Sequence, residues 1–330
     1  MWNRWEILKL KVLVMSVSNP WRGLFPATVL PCREDFSIDE EDLRILIRFL
    51  MGVRGVSGLA CNGHAGDAWA LTREERDLVT QIHVEEAGGQ ILVIAGVSGL
   101  CTRDYVEQMG DAKASGAAAV LVLPPPLFRG VSNRGPDEPV AFIRSLAEAV
   151  DIPIVLFQHM IGQGNNYSAE TMARLAEIEA VVAVKDAVGD YRLYEKDLIA
   201  LLGAKRRISI LNSSDVLLFP CGALGHNDGS LISLGTLMPH WMVELIEAFW
   251  RDDLSAARAV NDRVHPVVNM FYNTPGVNNA AFIKEALHML GVLSRPCVIR
   301  PPHRTFDERD RAAIRSVLDE SGLTEFYKTI

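Results

Sequence analysis

The sequence predicts an α/β fold, a (β/α)8 TIM barrel with a C-terminal helical region, from three observations. Short apolar runs rich in Val, Ile, Leu and Ala alternate with stretches of helical pattern, eight times in succession. The runs are apolar on both faces, as strands are when a parallel sheet is covered by helices. Eight βα units in a row close into a barrel more readily than they open into a doubly wound sheet. A chain of 330 residues is ample for this, since a barrel takes roughly 250.

The first four runs are Gly23–Pro31, Val56–Gly63, Ile91–Val97 and Ala117–Leu123. Pro153–His159, Val181–Asp186, Ile208–Ser213 and Ser230–Leu234 complete the set. Helix starts are marked between them. Ser37-Ile-Asp-Glu and Thr72-Arg-Glu-Glu have the capping-box spacing, in which a hydroxyl and a carboxylate each bond the other residue's backbone N–H. Ser168 opens another helix, Pro139 sits in the first turn of a fourth, and Pro153 marks a helix-to-strand break. After Gly235 the strand pattern ends, and Trp241–Trp250, Leu254–Phe271, Asn279–Leu290 and Asp307–Leu318 read as helices. The expected division is an N-terminal extension over 1–19, the barrel over 20–235 and a helical region over 236–330. Met1–Val14 lacks the apolar core of a secretion signal and is too short to span a bilayer; Met15 is the expected start of translation.

Composition excludes several classes of function. With 49% hydrophobic and 22% charged residues, the chain can bury a sizeable core and does not read as disordered. A formal net charge of −8 without a basic stripe argues against a nucleic-acid partner. No membrane partner is expected either. The five cysteines are widely separated and form no Cys-x-x-Cys pair, which reads as reduced thiols in a cytoplasmic protein. Asn166-Tyr-Ser and Asn212-Ser-Ser match the glycosylation sequon but carry little meaning without an export signal. The glycines between Gly222 and Gly229 fit neither a P-loop nor a dinucleotide fingerprint and read as turns. No cofactor and no metal is expected.

In a barrel the active site lies at the C-terminal ends of the strands, which turns the strand reading into a site list. The second run ends in Asn62-Gly-His-Ala-Gly-Asp67, the fifth in Phe157-Gln-His159, the sixth in Lys185-Asp186 and the seventh in Asn212-Ser-Ser-Asp215. Among the lysines, Lys185 alone ends a continuous apolar run, Val-Val-Ala-Val-Lys. Partial desolvation in a barrel mouth lowers an amine's pKa and readies it to condense with a carbonyl. The bland alternative is a strand-end lysine that reaches solvent or pairs with Asp186 or Asp190. The Gly63–Gly66 turn can present backbone N–H groups to a carboxylate, or can be a tight loop with no ligand, with Asp67 organising it. His64 and His159 are the acid/base candidates, since imidazole titrates near neutral pH. With His226 they also raise a metal site, though their spacing matches no ligand motif.

These residues carry a resemblance to the dihydrodipicolinate synthase/N-acetylneuraminate lyase family of class I aldolases, over residues 20–302. Gly23-Leu-Phe-Pro-Ala-Thr-Val-Leu-Pro resembles the family's opening strand. Cys61-Asn-Gly-His-Ala-Gly-Asp, followed by Ala70-Leu-Thr-Arg-Glu-Glu-Arg, is similar to its Gly-Thr-Thr-Gly-Glu motif and next helix. Val184-Lys-Asp-Ala-Val-Gly-Asp190 resembles its Lys-Glu-Ala-Thr-Gly-Asp motif, whose lysine forms the Schiff base. Phe282-Ile-Lys-Glu-Ala-Leu-His-Met-Leu-Gly291, then Arg300-Pro-Pro, is similar to its C-terminal signature. The resemblance implies a barrel that acts on a 2-oxo acid, typically pyruvate, through an iminium on Lys185, and that assembles as a dimer or tetramer.

The departures are as informative. The family's tyrosine at the end of the fifth strand is Phe157 here, which has no hydroxyl to relay a proton. The threonine pair of the second-strand motif is His64-Ala65, and the aromatic pair after the fourth strand is Pro125-Pro126. The arginine that dihydrodipicolinate synthase uses after the fifth strand aligns roughly with Gly162. The expectation is therefore a Schiff-base lyase for pyruvate-type aldol cleavage or condensation, other than a true dihydrodipicolinate synthase. Lys185, His64 and His159 are its expected catalytic residues, and Gly63, Ala65, Gly66, Phe157, Ser213 and Ser230 its substrate contacts. A dehydratase or deaminase using the same lysine, and a non-catalytic oxo-acid-binding homologue, are the competing readings.

Overall fold

The computed structural model describes residues 19–128, 135–159, 166–273 and 278–330. The expected start at Met15 and the position of Gly162 lie outside these residues. Eight parallel strands form the sheet: β1 Gly23–Pro26, β2 Gly58–Cys61, β3 Leu92–Val97, β4 Ala119–Val122, β5 Ile154–Gln158, β6 Val181–Asp186, β7 Ser209–Asn212 and β8 Gly229–Ile232. Each pairs with its neighbours in sequence, and β1 pairs with β8 in the register Gly23↔Gly229. Bridges Leu24↔Val56 and Ala27↔Ala60 join β1 to β2 and close the ring. The fold is a (β/α)8 barrel followed by C-terminal helices.

The strand period of two sorts side chains between two apolar layers. Phe25, Ala60, Ile94, Leu121, Val155, Ala183, Leu211 and Leu231 point inward and fill the barrel. Leu24, Leu59, Val93, Val120, Ile154, Val184, Ile210 and Ile232 point outward under the helices. The barrel helices are α1 Glu40–Met51, α2 Arg73–Ala87, α3 Thr102–Ala114, α4 Asp137–Ala149, α5 Ala169–Leu175, α6 Tyr191–Gly203 and α7 Leu218–Ala223. After β8 come α8 Leu234–Leu237, α9 Pro239–Trp250, α10 Leu254–Asn273, α11 Asn279–Met289, α12 Glu308–Glu320 and α13 Leu323–Tyr327. The outer apolar layer continues without a break into Val260, Phe271, Phe282, Ile314 and Leu318 of these C-terminal helices.

Local chemistry explains most helix starts. Thr72 and Glu75 form the expected capping box, with Glu75 N–H on Thr72 Oγ1 at 3.2 Å and Thr72 N–H on Glu75 Oε2 at 3.0 Å. Ser168 Oγ caps α5 through the Thr171 N–H at 3.1 Å. The Ser37 capping box does not form. Its hydroxyl bonds Asp35 at 2.6 Å, and Asp39 caps α1 two residues later. An aspartate on each side offered the chain a choice that spacing alone did not resolve. Among the described residues, no helix is long and apolar enough to cross a membrane.

Candidate active site

A cavity of about 640 Å³ opens at the C-terminal mouth of the barrel, and Lys185, His64, Ala65, Phe157, His159 and Ser213 all line it. Along β6 and its exit, Ala183, Lys185 and Ala187 face the barrel axis, which delivers the amine to the cavity floor. Lys185 is only 7% exposed. Burial pulls its amine down to about 8, and the nearby Asp215 carboxylate partly opposes that. Phe157 lies beside it in register, Phe157↔Lys185, and Nζ sits 4.6 Å from the ring centroid. The pairing with Asp186 is not made. Asp186 faces outward beneath α6, where burial and the Asp197 charge hold its carboxyl well above the usual range. Asp190 caps α6 through the Arg192 and Leu193 N–H groups.

The turn after β2 is built to a fixed shape. Asn62 and Asp67 both take left-handed backbone angles, φ 53° each, at its two ends. The N–H groups of Gly66 and Ala68 bond Gly63 O, and that of Asp67 bonds His64 O. The N–H groups of His64 and Ala65 are left without a partner among the described residues and flank the cavity. Gly66 is glycine for packing: a Cβ there would stand 3.2 Å from Thr28 O and 3.3 Å from Asn62 N. Asp67 is anchored from far along the chain by Lys284 of α11, 3.2 Å away, in a pair whose side chains are 3% and 2% exposed. Lys284 also donates to Val298 O at 3.0 Å.

The ring of His64 packs edge-on to Phe157 at 5.4 Å and to His159 at 5.0 Å between centroids. Burial, with Lys185 and His159 adding to it, pulls His64 down to about 3, so its imidazole is neutral at ordinary pH. Trp69 and His303 extend this aromatic wall toward the rim, at 5.9 Å and 6.4 Å along the series His64–Trp69–His303.

Across the cavity stands a pair that the sequence reading passed over. Asp215, in the turn after β7, is 4% exposed. Tyr272, near the end of α10, donates its hydroxyl hydrogen bond to Asp215 Oδ2. Burial raises Asp215 to about 7, while Tyr272 and Lys185 pull the other way. Asp215 closes the strand-seven segment already flagged, so its place was visible, but Tyr272 carried no signal. Asn278, Asn279 and Ala280 also reach the cavity from the start of α11.

The expected contacts at Ser230, Gly63 and Gly66 are not made at the cavity surface. Ser230 does not line the cavity: in β8, Leu231 points inward, and the period of two turns Ser230 outward to the small space beside Leu218 and Met242. His226 precedes β8 and lies at the opposite end of the barrel from His64 and His159. Among the described residues, no group of three or more His, Cys, Asp or Glu is placed to hold a metal ion. Gly63 and Gly66 are buried beneath the turn rather than at the cavity surface.

The chain as a whole has counterparts among known proteins. The profile of the Dihydrodipicolinate synthetase family matches residues 20–321. The chain belongs to this family. A 4-hydroxy-tetrahydrodipicolinate synthase of Methanothrix thermoacetophila is 32% identical over 299 residues, covering 90% of this chain and 96% of the relative. An uncharacterized DapA-like lyase of Halobacterium salinarum is 32% identical over 303 residues, 91% of this chain and 94% of that one. The structure of the chloride-inhibited dihydrodipicolinate synthase of Acinetobacter baumannii complexed with pyruvate superposes with a TM-score of 0.79 at 26% identity, over 91% of this chain and 99% of that one. As a member of the dihydrodipicolinate synthetase family, the protein is a class I aldolase-type lyase.

Proposed function

We propose that Lys185 forms a Schiff base with C2 of a 2-oxo acid, pyruvate or a compound derived from it, and that the enamine makes or breaks the adjacent carbon–carbon bond. The observation that carries this is a buried amine, held at about 8, on the floor of the one barrel-mouth cavity described above. A neutral amine is the nucleophile, and the iminium it forms is the electron sink for a carbanion at C3. The free N–H groups of His64 and Ala65 suit the substrate carboxylate, and Ser213 lines the same space. The Acinetobacter relative holds pyruvate, which makes pyruvate the first compound to try.

The role we assign to His64 and His159 is the leaving side of the substrate. They stand together, 5.0 Å between ring centroids; His159 takes the proton of a hydroxyl on the departing carbon, and His64, kept neutral by burial, packs against it. The reaction for which the Methanothrix relative is named is not the one we assign, because Phe157 offers no hydroxyl beside Lys185. Assembly as a dimer or tetramer belongs to the same reading, supported by exposed Leu100 and Leu127 in the loops after β3 and β4. A cytoplasmic location is supported by five cysteines, all free.

Borohydride trapping with pyruvate and a panel of 2-oxo acids, read by mass spectrometry, tests the lysine. The expected result is a reduced adduct on Lys185 that Lys185→Ala abolishes. No adduct with any member of the panel would overturn the reading, and turnover in the Methanothrix relative's named reaction would overturn the narrower exclusion.

A further inference from the structure

We propose that Asp215 and Tyr272 form the proton relay of this site: Asp215 gives a proton to the hydroxyl that leaves C2 and takes one from C3, and Tyr272 holds its carboxyl in place. The proposal rests on Lys185 as the Schiff-base lysine. It answers what Phe157 leaves open, since the β5 position beside the amine has no acidic or basic group.

The geometry points to this pair. Lys185, Asp215 and Tyr272 line one cavity, and the first two are nearly buried. Asp215 is the group whose charge acts on the Lys185 amine, and Lys185 acts on it in return. No ion pair closes between them among the described residues, which leaves space for a substrate atom. Tyr272 takes Oδ2. Oδ1 has no hydrogen-bond partner of sound geometry among the described residues, although the backbone N–H groups of Asp215 and Leu234 favour its charged form. Tyr272 thus fixes the carboxyl, and Asp215 lines the cavity beside Lys185. A carboxyl that titrates near neutrality, beside an amine that does the same, suits general acid and base work at that pH. The groups that face Asp215 are Lys185 from β6 and Tyr272 from α10, with the His64 and His159 rings on the opposite wall.

The steps balance. Neutral Lys185 adds to C2 of the oxo acid, and the amine proton moves to the oxygen, giving a carbinolamine. Protonated Asp215 gives its proton to that hydroxyl, which leaves as water and yields the iminium and the Asp215 carboxylate. The carboxylate then takes a proton from C3, giving the neutral enamine and restoring protonated Asp215. Tyr272 keeps its own proton throughout and supplies the bond to Oδ2; it is a positioning residue.

The test uses the full chain with pyruvate, following borohydride-trapped adduct on Lys185 and, in D2O, loss of the methyl proton signal by NMR. Asp215→Asn is expected to slow methyl exchange by about 10²–10⁴-fold, with the Lys185 adduct still forming, more slowly. Asp215→Glu is expected to restore part of the rate. Tyr272→Phe removes a bond that favours the carboxylate, so Asp215 titrates higher and the alkaline limb of the exchange profile moves to higher pH. In Asp215→Asn, the charge that holds the amine up is gone, so the acid limb moves to lower pH. A Lys185 adduct with exchange and pH limbs unchanged in both variants would overturn the relay alone. No wild-type adduct with pyruvate or the wider panel would overturn the lysine reading, and the relay with it.

Discussion

The two walls of the cavity differ in kind. On one side the β2 turn and the end of β5 present His64, Phe157 and His159, continued by Trp69 and His303: aromatic rings, with His64 held neutral by burial. On the other side the end of β7 and the end of α10 present Asp215 and Tyr272, whose carboxyl titrates near neutrality. Lys185 lies on the floor between them. The first wall offers shape and an imidazole for the leaving side of the substrate, the second a carboxyl beside the amine. On the mechanism we propose, the first wall chooses the substrate and the second performs steps common to different oxo acids.

That division can be broken most severely from behind the first wall. Lys284→Met leaves Asp67 charged and buried without its partner, which costs about 3–5 kcal/mol for such a pair. A urea or thermal melt checks the loss. The β2 turn that Asp67 ends should loosen with it, raising KM for the oxo acid more than it slows trapping at Lys185. An unchanged melt would show that the pair contributes nothing to holding the turn.

The histidines sharpen the comparison next. The double change His64→Ala and His159→Ala is expected to lower kcat/KM for the true substrate by about 10²-fold, or about 2.7 kcal/mol. Methyl exchange on pyruvate alone should fall far less, because that step belongs to the other wall. Full turnover in each single variant would remove both rings from the chemistry. The smallest effect lies outside the cavity. Thr72→Ala removes the cap of α2 and should cost about 1 kcal/mol in a melt, with trapping at Lys185 unaltered.

The fold was legible because barrel strands and covering helices are written in short periods. Ala183, Lys185 and Ala187 face inward for the same reason that the run reads as a strand, so Lys185 was both visible and oriented. The same rule, applied without knowing which residue of β8 faces the axis, put Ser230 on the wrong side of the sheet. Ser37 failed for a related reason: two caps competed within three residues, and the difference between them lay in contacts rather than spacing.

By itself the sequence determined the barrel and the amine at the end of β6, because each is a local fact of strand pattern and residue type. The missing tyrosine hydroxyl at Phe157 was legible only through the family resemblance. Only the tertiary structure decided what stands opposite that amine. Tyr272 meets Asp215 across 57 positions of sequence, and Lys284 meets Asp67 across 217. No periodicity reaches so far. Such pairs exist because the C-terminal helices share an apolar layer with the barrel, and packing that layer brings their polar residues to the cavity.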